Sequence, residues 1–186
     1  MMMEFPNKKY KIIYADPPWS YDNKNTGGSM KSGAAEQYDT MPLDEIKNLP
    51  IKKICHKDCV LFMWATTPLL EEAFEVIKAW GFRYKTCIYW RKIMSLGMGY
   101  WFRGQVEVLI VAVKGDIKAF RCQRANFIQT KVRRHSQKPT EMYGWIEEIS
   151  KKHDLEPKIE LFARERREGW DAYGNQLPDT IQKLLK

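Results

Sequence analysis

The sequence predicts an α/β domain built on a mostly parallel sheet with helices on both faces. Three observations predict it. Short apolar runs rich in β-branched and aromatic residues recur along the chain: Ile12-Ile13-Tyr14-Ala15, Val60-Leu61-Phe62-Met63-Trp64, and Val106 to Val113. Amphipathic helical stretches fall between such runs; in the clearest, Leu69, Leu70, Ala73, Phe74, Ile77 and Trp80 share one face. No internal repeat or low-complexity linker divides the 186 residues, so one domain is expected over 1–186.

The first strand spans about Lys11 to Ala15 and runs into Asp16-Pro17-Pro18-Trp19. Proline fixes φ and lacks an N–H, and a residue before proline is pushed to extended geometry. Asp16 and Pro17 are therefore held extended, with carbonyls able to accept hydrogen bonds and a ring close by. That suits a planar amine clamped between acceptors and stacked on an aromatic face. The plainer alternative is a stiff turn after a strand. Ser20 to Thr40 is a long polar loop carrying Gly27, Gly28 and Gly33, a length that suits a lid over the site.

Leu43 to Leu49 is a short helix, with Pro42 near its start and Asp44 and Glu45 in its first turn. Val60 to Trp64 is the second strand. Thr66 or Thr67 can cap the next helix, Pro68 suits its first turn, and Gly81 ends it. Phe82 to Trp90 is the third strand. Arg91 to Gly104 is a loop whose Gly97-Met98-Gly99 lacks the third glycine of a dinucleotide fingerprint. Val106 to Val113 is the fourth strand. A helix from Pro139 to about Lys152 buries Met142, Trp145, Ile146 and Ile149. Lys158 to Ala163 is the last clear strand, Trp170 to Gln176 a loop, and Thr180 to Leu185 a terminal helix. Ligands of such sheets sit beyond the carboxyl ends of the strands, where Asp16 and Arg164 both fall.

Composition narrows the class. With 44% hydrophobic and 29% charged residues the chain is globular. No apolar run approaches the roughly 20 residues that span a bilayer, and residues 1–6 lack a signal-peptide pattern; a cytoplasmic location with no membrane partner is expected. Cys55, Cys59, Cys87 and Cys122 form no C-x-x-C pair, and His56 beside the first two makes only half a zinc site, so no metal is expected. Net charge is +8. From Ile117 to Thr140 there are seven basic residues and no acid: Lys118, Arg121, Arg124, Lys131, Arg133, Arg134 and Lys138, interleaved with Phe120 and Phe127. Cations suit phosphates and rings suit unstacked bases, so this stretch reads as a loop that contacts nucleic acid.

Three segments taken together carry a resemblance: Asp16-Pro17-Pro18-Trp19, Ser136-Gln137-Lys138-Pro139, and Glu160-Leu161-Phe162-Ala163-Arg164 with Gly174-Asn175-Gln176-Leu177. From about Tyr10 to Leu177 the chain resembles the adenine methyltransferases of the MT-A70 family. The resemblance implies a Rossmann-like S-adenosylmethionine-dependent methyltransferase fold with permuted motif order, catalytic motif first. It implies S-adenosylmethionine as cofactor and the 6-amino group of adenine as target. Asp16 and the Pro17 carbonyl would accept the two N–H bonds of the amine and stabilise its developing positive charge. Trp19, next to Pro18, would stack on the base. The same resemblance gives Asp16, Lys138, Glu160, Arg164, Asn175 and Gln176 to the cofactor, and Tyr38 and Trp101 to the substrate pocket. In the eukaryotic enzyme an asparagine lies three residues after the ribose-contacting arginine; here that position is Arg167.

DNA is the expected substrate, because the compact chain resembles bacterial and phage members; a duplex target would have to be flipped out. Three alternatives stand beside it: RNA as substrate, a silent nucleic-acid-binding partner subunit, and methylation of a small molecule or protein glutamine. Silent members lose the acid or the aromatic that this chain keeps, and glutamine methylases carry asparagine in place of Asp16. Pairing with itself or with a related subunit is left open by the sequence.

Overall fold

A computed structural model describes residues 6–20, 40–93, 101–133, 137–175 and 177. Its strands are β1 (Tyr10–Ala15), β2 (Cys55–Thr66), β3 (Arg83–Ile93), β4 (Val106–Lys114), β5 (Phe127–Lys131), β6 (Lys158–Leu161) and β7 (Asp171–Tyr173). Its helices are α1 (Leu43–Asn48), α2 (Ile51–Ile54), α3 (Leu70–Ala79) and α4 (Glu141–His153), with a 3₁₀ turn at Thr67–Leu69. The strands form one sheet in the order β5-β3-β4-β2-β1-β6-β7. Pairing is parallel throughout except on both sides of β4, which alone runs against the rest. The sheet is mostly parallel, as expected.

Side chains alternate across the sheet, as a period of two requires. Ile13, Leu61, Met63, Ile110 and Leu161 pack beneath α1, α2 and α3 through Ile46, Ile51, Ala73 and Val76. Ile12, Tyr14, Phe62, Trp64 and Leu109 pack beneath α4 through Met142 and Ile146. Gly81 closes α3 with φ +84°, a conformation glycine adopts without strain.

Several boundaries differ from the sequence reading, each for a physical reason. β2 begins at Cys55, because His56, Lys57 and Asp58 extend it without an apolar pattern. β3 continues to Ile93, into the stretch expected as loop. β5 lies within the stretch read as a single basic loop, and β7 within the loop expected from Trp170. Both are outermost strands of the sheet and need little apolar alternation. The start of α3 has no side-chain cap from Thr66 or Thr67; a 3₁₀ turn leads in instead. Phe74 is 39% exposed rather than core, and its ring meets Tyr84 edge-on. The terminal helix at 180–185 and most of the 20–40 loop lie outside the described residues.

Candidate active site

Strand register places the site. Ala15 pairs with Met63 on one side and Leu161 on the other, and Leu161 pairs with Tyr173. β1, β2, β6 and β7 therefore end along one edge. β4 is reversed, so its beginning reaches that same edge: Glu107 pairs with Thr66 and with Trp90. Pro139 and Thr140 lead into α4, and Lys138 just ahead of them turns back over β1.

The centre is an ion cluster. Lys138 Nζ lies 2.9 Å from Asp16 Oδ1 and 3.2 Å from Glu107 Oε2. Lys92 pairs with the other oxygen of Glu107. The Trp64 ring lies 5.7 Å from the Lys138 ammonium. Burial sets the proton affinities. It pushes the Asp16 carboxyl above its ordinary value; Lys138 opposes that rise and the Glu107 charge adds to it. Burial also acts against Glu107, but Lys138 and Lys92 together outweigh it and hold this carboxyl low. Lys138, although buried, is held above the ordinary lysine value by its two acids. The cluster therefore holds an ammonium between an anion at Glu107 and a less committed one at Asp16.

The catalytic motif is braced by its own backbone. The Pro17 carbonyl already accepts the Trp19 N–H at 2.9 Å, and the Pro18 carbonyl accepts that of Met41 at 2.8 Å. A carbonyl has two lone pairs, so Pro17 keeps one for a ligand. Trp19 departs from expectation. It is 8% exposed, and its indole N–H donates to the Trp64 carbonyl at 3.1 Å. The ring is held in place by that bond and largely buried.

Glu160 projects from β6 towards α4 and accepts the Tyr143 hydroxyl at 2.8 Å. Burial pushes its carboxyl up to about 7; the Tyr143 bond and Arg167 pull it down, and the Asp16 charge pushes it further up. A carboxyl raised this way stabilises the fold fully below its unfolded value of 4.5, and that contribution is lost as pH rises to about 7. Glu160→Gln keeps an acceptor for Tyr143 and removes the titration. Its denaturation midpoint is expected to be flatter over that window, by about 1–2 kcal/mol after allowing for partial exposure; an unchanged slope refutes the assignment.

Arg164 lies near enough to Asp16 to lower its proton affinity. It follows Phe162, which has φ +59°, a strained conformation for a bulky side chain. Gly174 lies directly on this turn: a Cβ there would sit 2.3 Å from the Ala163 oxygen and 2.7 Å from the Ala163 nitrogen. That close approach brings Asn175 beside the 162–164 turn. The donor set suits a zwitterion joined to a nucleoside. Lys138 has three donors and two acids, leaving one N–H for a carboxylate. Glu107 Oε2, buried beside Lys138 at 3.2 Å, has a further lone pair that can take an ammonium. Arg164 and Asn175 are exposed at the same edge, with polar groups for hydroxyls.

The basic stretch is split. Arg124 pairs with Glu148 at 2.9 Å and stacks on Trp145, and Arg121 lines a cavity with Glu148 and Lys152; both run along α4. Lys131 and Arg133 emerge at the far end of β5, level with Ile93. Trp101 is 94% exposed. Tyr38, Arg134 and Gln176 lie outside the described residues. Sequence reasoning placed no role on Glu107 or Lys92. The signal was there for Glu107, an acid inside an otherwise apolar strand. Among the described residues no cluster of potential metal ligands occurs, and no helix is long and apolar enough to cross a membrane.

The comparisons with known proteins cover this whole arrangement. The MT-A70 family matches residues 10–176. A Mycoplasma protein named Type II methyltransferase M.MunI is 36% identical over 95% of this chain and 81% of its own length. The human N(6)-adenosine-methyltransferase catalytic subunit METTL3 is 31% identical over 95% of this chain. A Medicago truncatula protein named Putative N(6)-adenosine-methyltransferase MT-A70-like is 32% identical over 91% of this chain. The chain spans only 31% of the human relative and 26% of the Medicago one. The match runs from the first strand through the Asp16, Glu107 and Lys138 cluster to Asn175, and the chain belongs to the MT-A70 family of adenine-N6 methyltransferases.

Proposed function

We propose that this protein transfers a methyl group from S-adenosylmethionine to the 6-amino group of adenine in DNA. The observation that carries the reading is the meeting of Asp16, Lys138 and Glu107 at one sheet edge, beside the turn that holds Arg164 and Asn175. S-adenosylmethionine, when bound, supplies an electrophilic methyl on a sulfonium. Lys138 would hold its carboxylate, Asp16 and Glu107 its ammonium, and Arg164, Asn175 and Gln176 its nucleoside.

The remaining chemistry belongs to the chain. The adenine amine is a poor nucleophile, because its lone pair is delocalised into the ring. Asp16 and the second lone pair of the Pro17 carbonyl accept its N–H bonds, so the nitrogen can pyramidalise and its growing positive charge is stabilised. Asp16 then takes one N–H proton from the four-bonded, cationic nitrogen, which leaves the neutral methylamine. Its raised proton affinity suits that step, and the nearby Lys138 favours its ionised form beforehand. Trp19, fixed by Trp64, supports the base edge and restricts its tilt.

The choice of DNA rests on the relative named Type II methyltransferase M.MunI, to which the chain is 36% identical over 81% of that protein's length. Lys131 and Arg133 beside the edge suit a phosphate backbone. The test uses purified protein, S-adenosylmethionine, and matched DNA and RNA in single- and double-stranded form, with nucleosides digested and weighed. N6-methyldeoxyadenosine is expected. Product on RNA alone overturns the substrate choice and keeps the chemistry. No product and no cofactor binding favours a silent partner subunit.

A further inference from the structure

Arg167 follows Arg164 by three residues, and the structure sets it against an aromatic ring. Its guanidinium carbon lies 3.8 Å from the centroid of the Tyr143 ring, a stacked cation–π contact. Tyr143 belongs to the first turn of α4, shortly after Lys138. Its hydroxyl donates to Glu160 on β6, and its ring meets Tyr14 and Trp170 edge-on at 5.2 and 5.5 Å. The segment between β6 and β7, which carries Arg164, is thereby tied to the helix that follows Lys138. Further along, Trp170 donates its indole N–H to Glu147 at 2.9 Å. The Arg167 contact lies between that tie and Arg164.

We propose that Arg167 is a positioning residue: stacked on Tyr143 and facing Glu160, it clamps the 162–170 segment against α4 and so sets Arg164 for the cofactor. The inference rests on the proposed use of S-adenosylmethionine. Among the described residues, the groups that act on Glu160 are Tyr14 and Asp16 from β1, Tyr143 from α4, and Arg167 with Glu165 from the segment itself. Arg167 is the only cation among these named groups. With Glu160 near 7, the acid is about nine-tenths protonated at pH 6 and about nine-tenths ionised at pH 8. Ionisation adds charge attraction to the stacking, so the clamp tightens as pH rises through neutrality.

Two readouts test this, and one needs no cofactor. Amide hydrogen exchange over 162–170, corrected for intrinsic rates, should be slower at pH 8 than at pH 6 in the wild type. In Arg167→Ala it should be fast at both. Carboxyl NMR of Glu160 should show its titration moving upward in Arg167→Ala by about half a unit, since a stabilising cation is gone. Calorimetric titration with S-adenosylmethionine should give affinity about twofold weaker at pH 6 than at pH 8, and weaker binding without that pH dependence in Arg167→Ala. Arg167→Lys should recover most of the affinity, and Arg167→Asn should behave as alanine. Exchange and titration unchanged in Arg167→Ala overturn the clamp, as does Arg167→Asn binding as tightly as the wild type. If the wild type binds no cofactor at all, the proposed function falls, and the exchange measurement still decides the clamp.

Discussion

Asp16→Ala is expected to lower kcat for methyl transfer by about two to three orders of magnitude, the usual cost of removing one group that meets developing charge. The fold should survive. Truncating one member of a buried pair is normally costly, because the other is left alone. Here Lys138 keeps Glu107 at 3.2 Å, and the group removed is one whose charge burial already disfavours. The two effects oppose each other, so the thermal midpoint should stay within a few degrees of wild type. Asp16→Asn, which retains an acceptor and loses the charge and the proton site, should fall between. Full activity in Asp16→Ala would remove Asp16 from the mechanism. A collapse in stability would show that it is held chiefly for structure. Steady-state rates measured beside a melting curve separate the three outcomes.

Gly174→Ala is the second large effect, and it acts through backbone. A methyl there would lie 2.3 Å from one atom of Ala163 and 2.7 Å from another, both main-chain. A flexible side chain could swing aside; a peptide group cannot. The same peptide donates its N–H to Tyr173 at 3.1 Å, the bond that joins the end of β7 to the turn after β6. The substitution should destabilise the protein by about 3 kcal/mol, at the upper end for overpacking a tight site. Any folded fraction should bind S-adenosylmethionine at least about tenfold more weakly, since Arg164 and Asn175 are pushed apart. A denaturation midpoint equal to wild type would mean that the two segments do not touch in solution.

The parts of the site legible in the sequence were those whose chemistry is local. Asp16-Pro17-Pro18-Trp19 announces itself because two prolines and an acid after a buried strand restrict geometry within four residues. Lys138 and Arg164 could be named through the resemblance. What Lys138 touches could not, because Glu107 reaches it only when β4 inserts backwards between β2 and β3. The order of strands depends on the whole chain and not on any window of it. What braces Trp19 was hidden for the same reason. Its ring looks displayed until the Trp64 carbonyl, far off in sequence, is placed beside its N–H. The basic stretch reads as one band of charge, yet β5 turns part of it along α4 and part towards the carboxyl edge. Edge strands such as β5 and β7 are hard to foresee, since they carry little of the alternation that marks an inner strand.

The position of β1 has a consequence for how the protein is made. Tyr10–Ala15 leaves the ribosome ahead of the other strands of the sheet and, apart from Lys11, is buried in the finished fold. One neighbour, β2, follows early, but the other, β6, is encoded near the end of the described chain. At ordinary elongation rates the gap lasts on the order of ten seconds. Throughout that time the nascent chain carries an unsatisfied strand edge, the kind of surface that recruits other strands. Messages truncated ahead of β6 would leave that edge open for good, so shortened products should be caught by chaperones or aggregate rather than persist as smaller soluble domains.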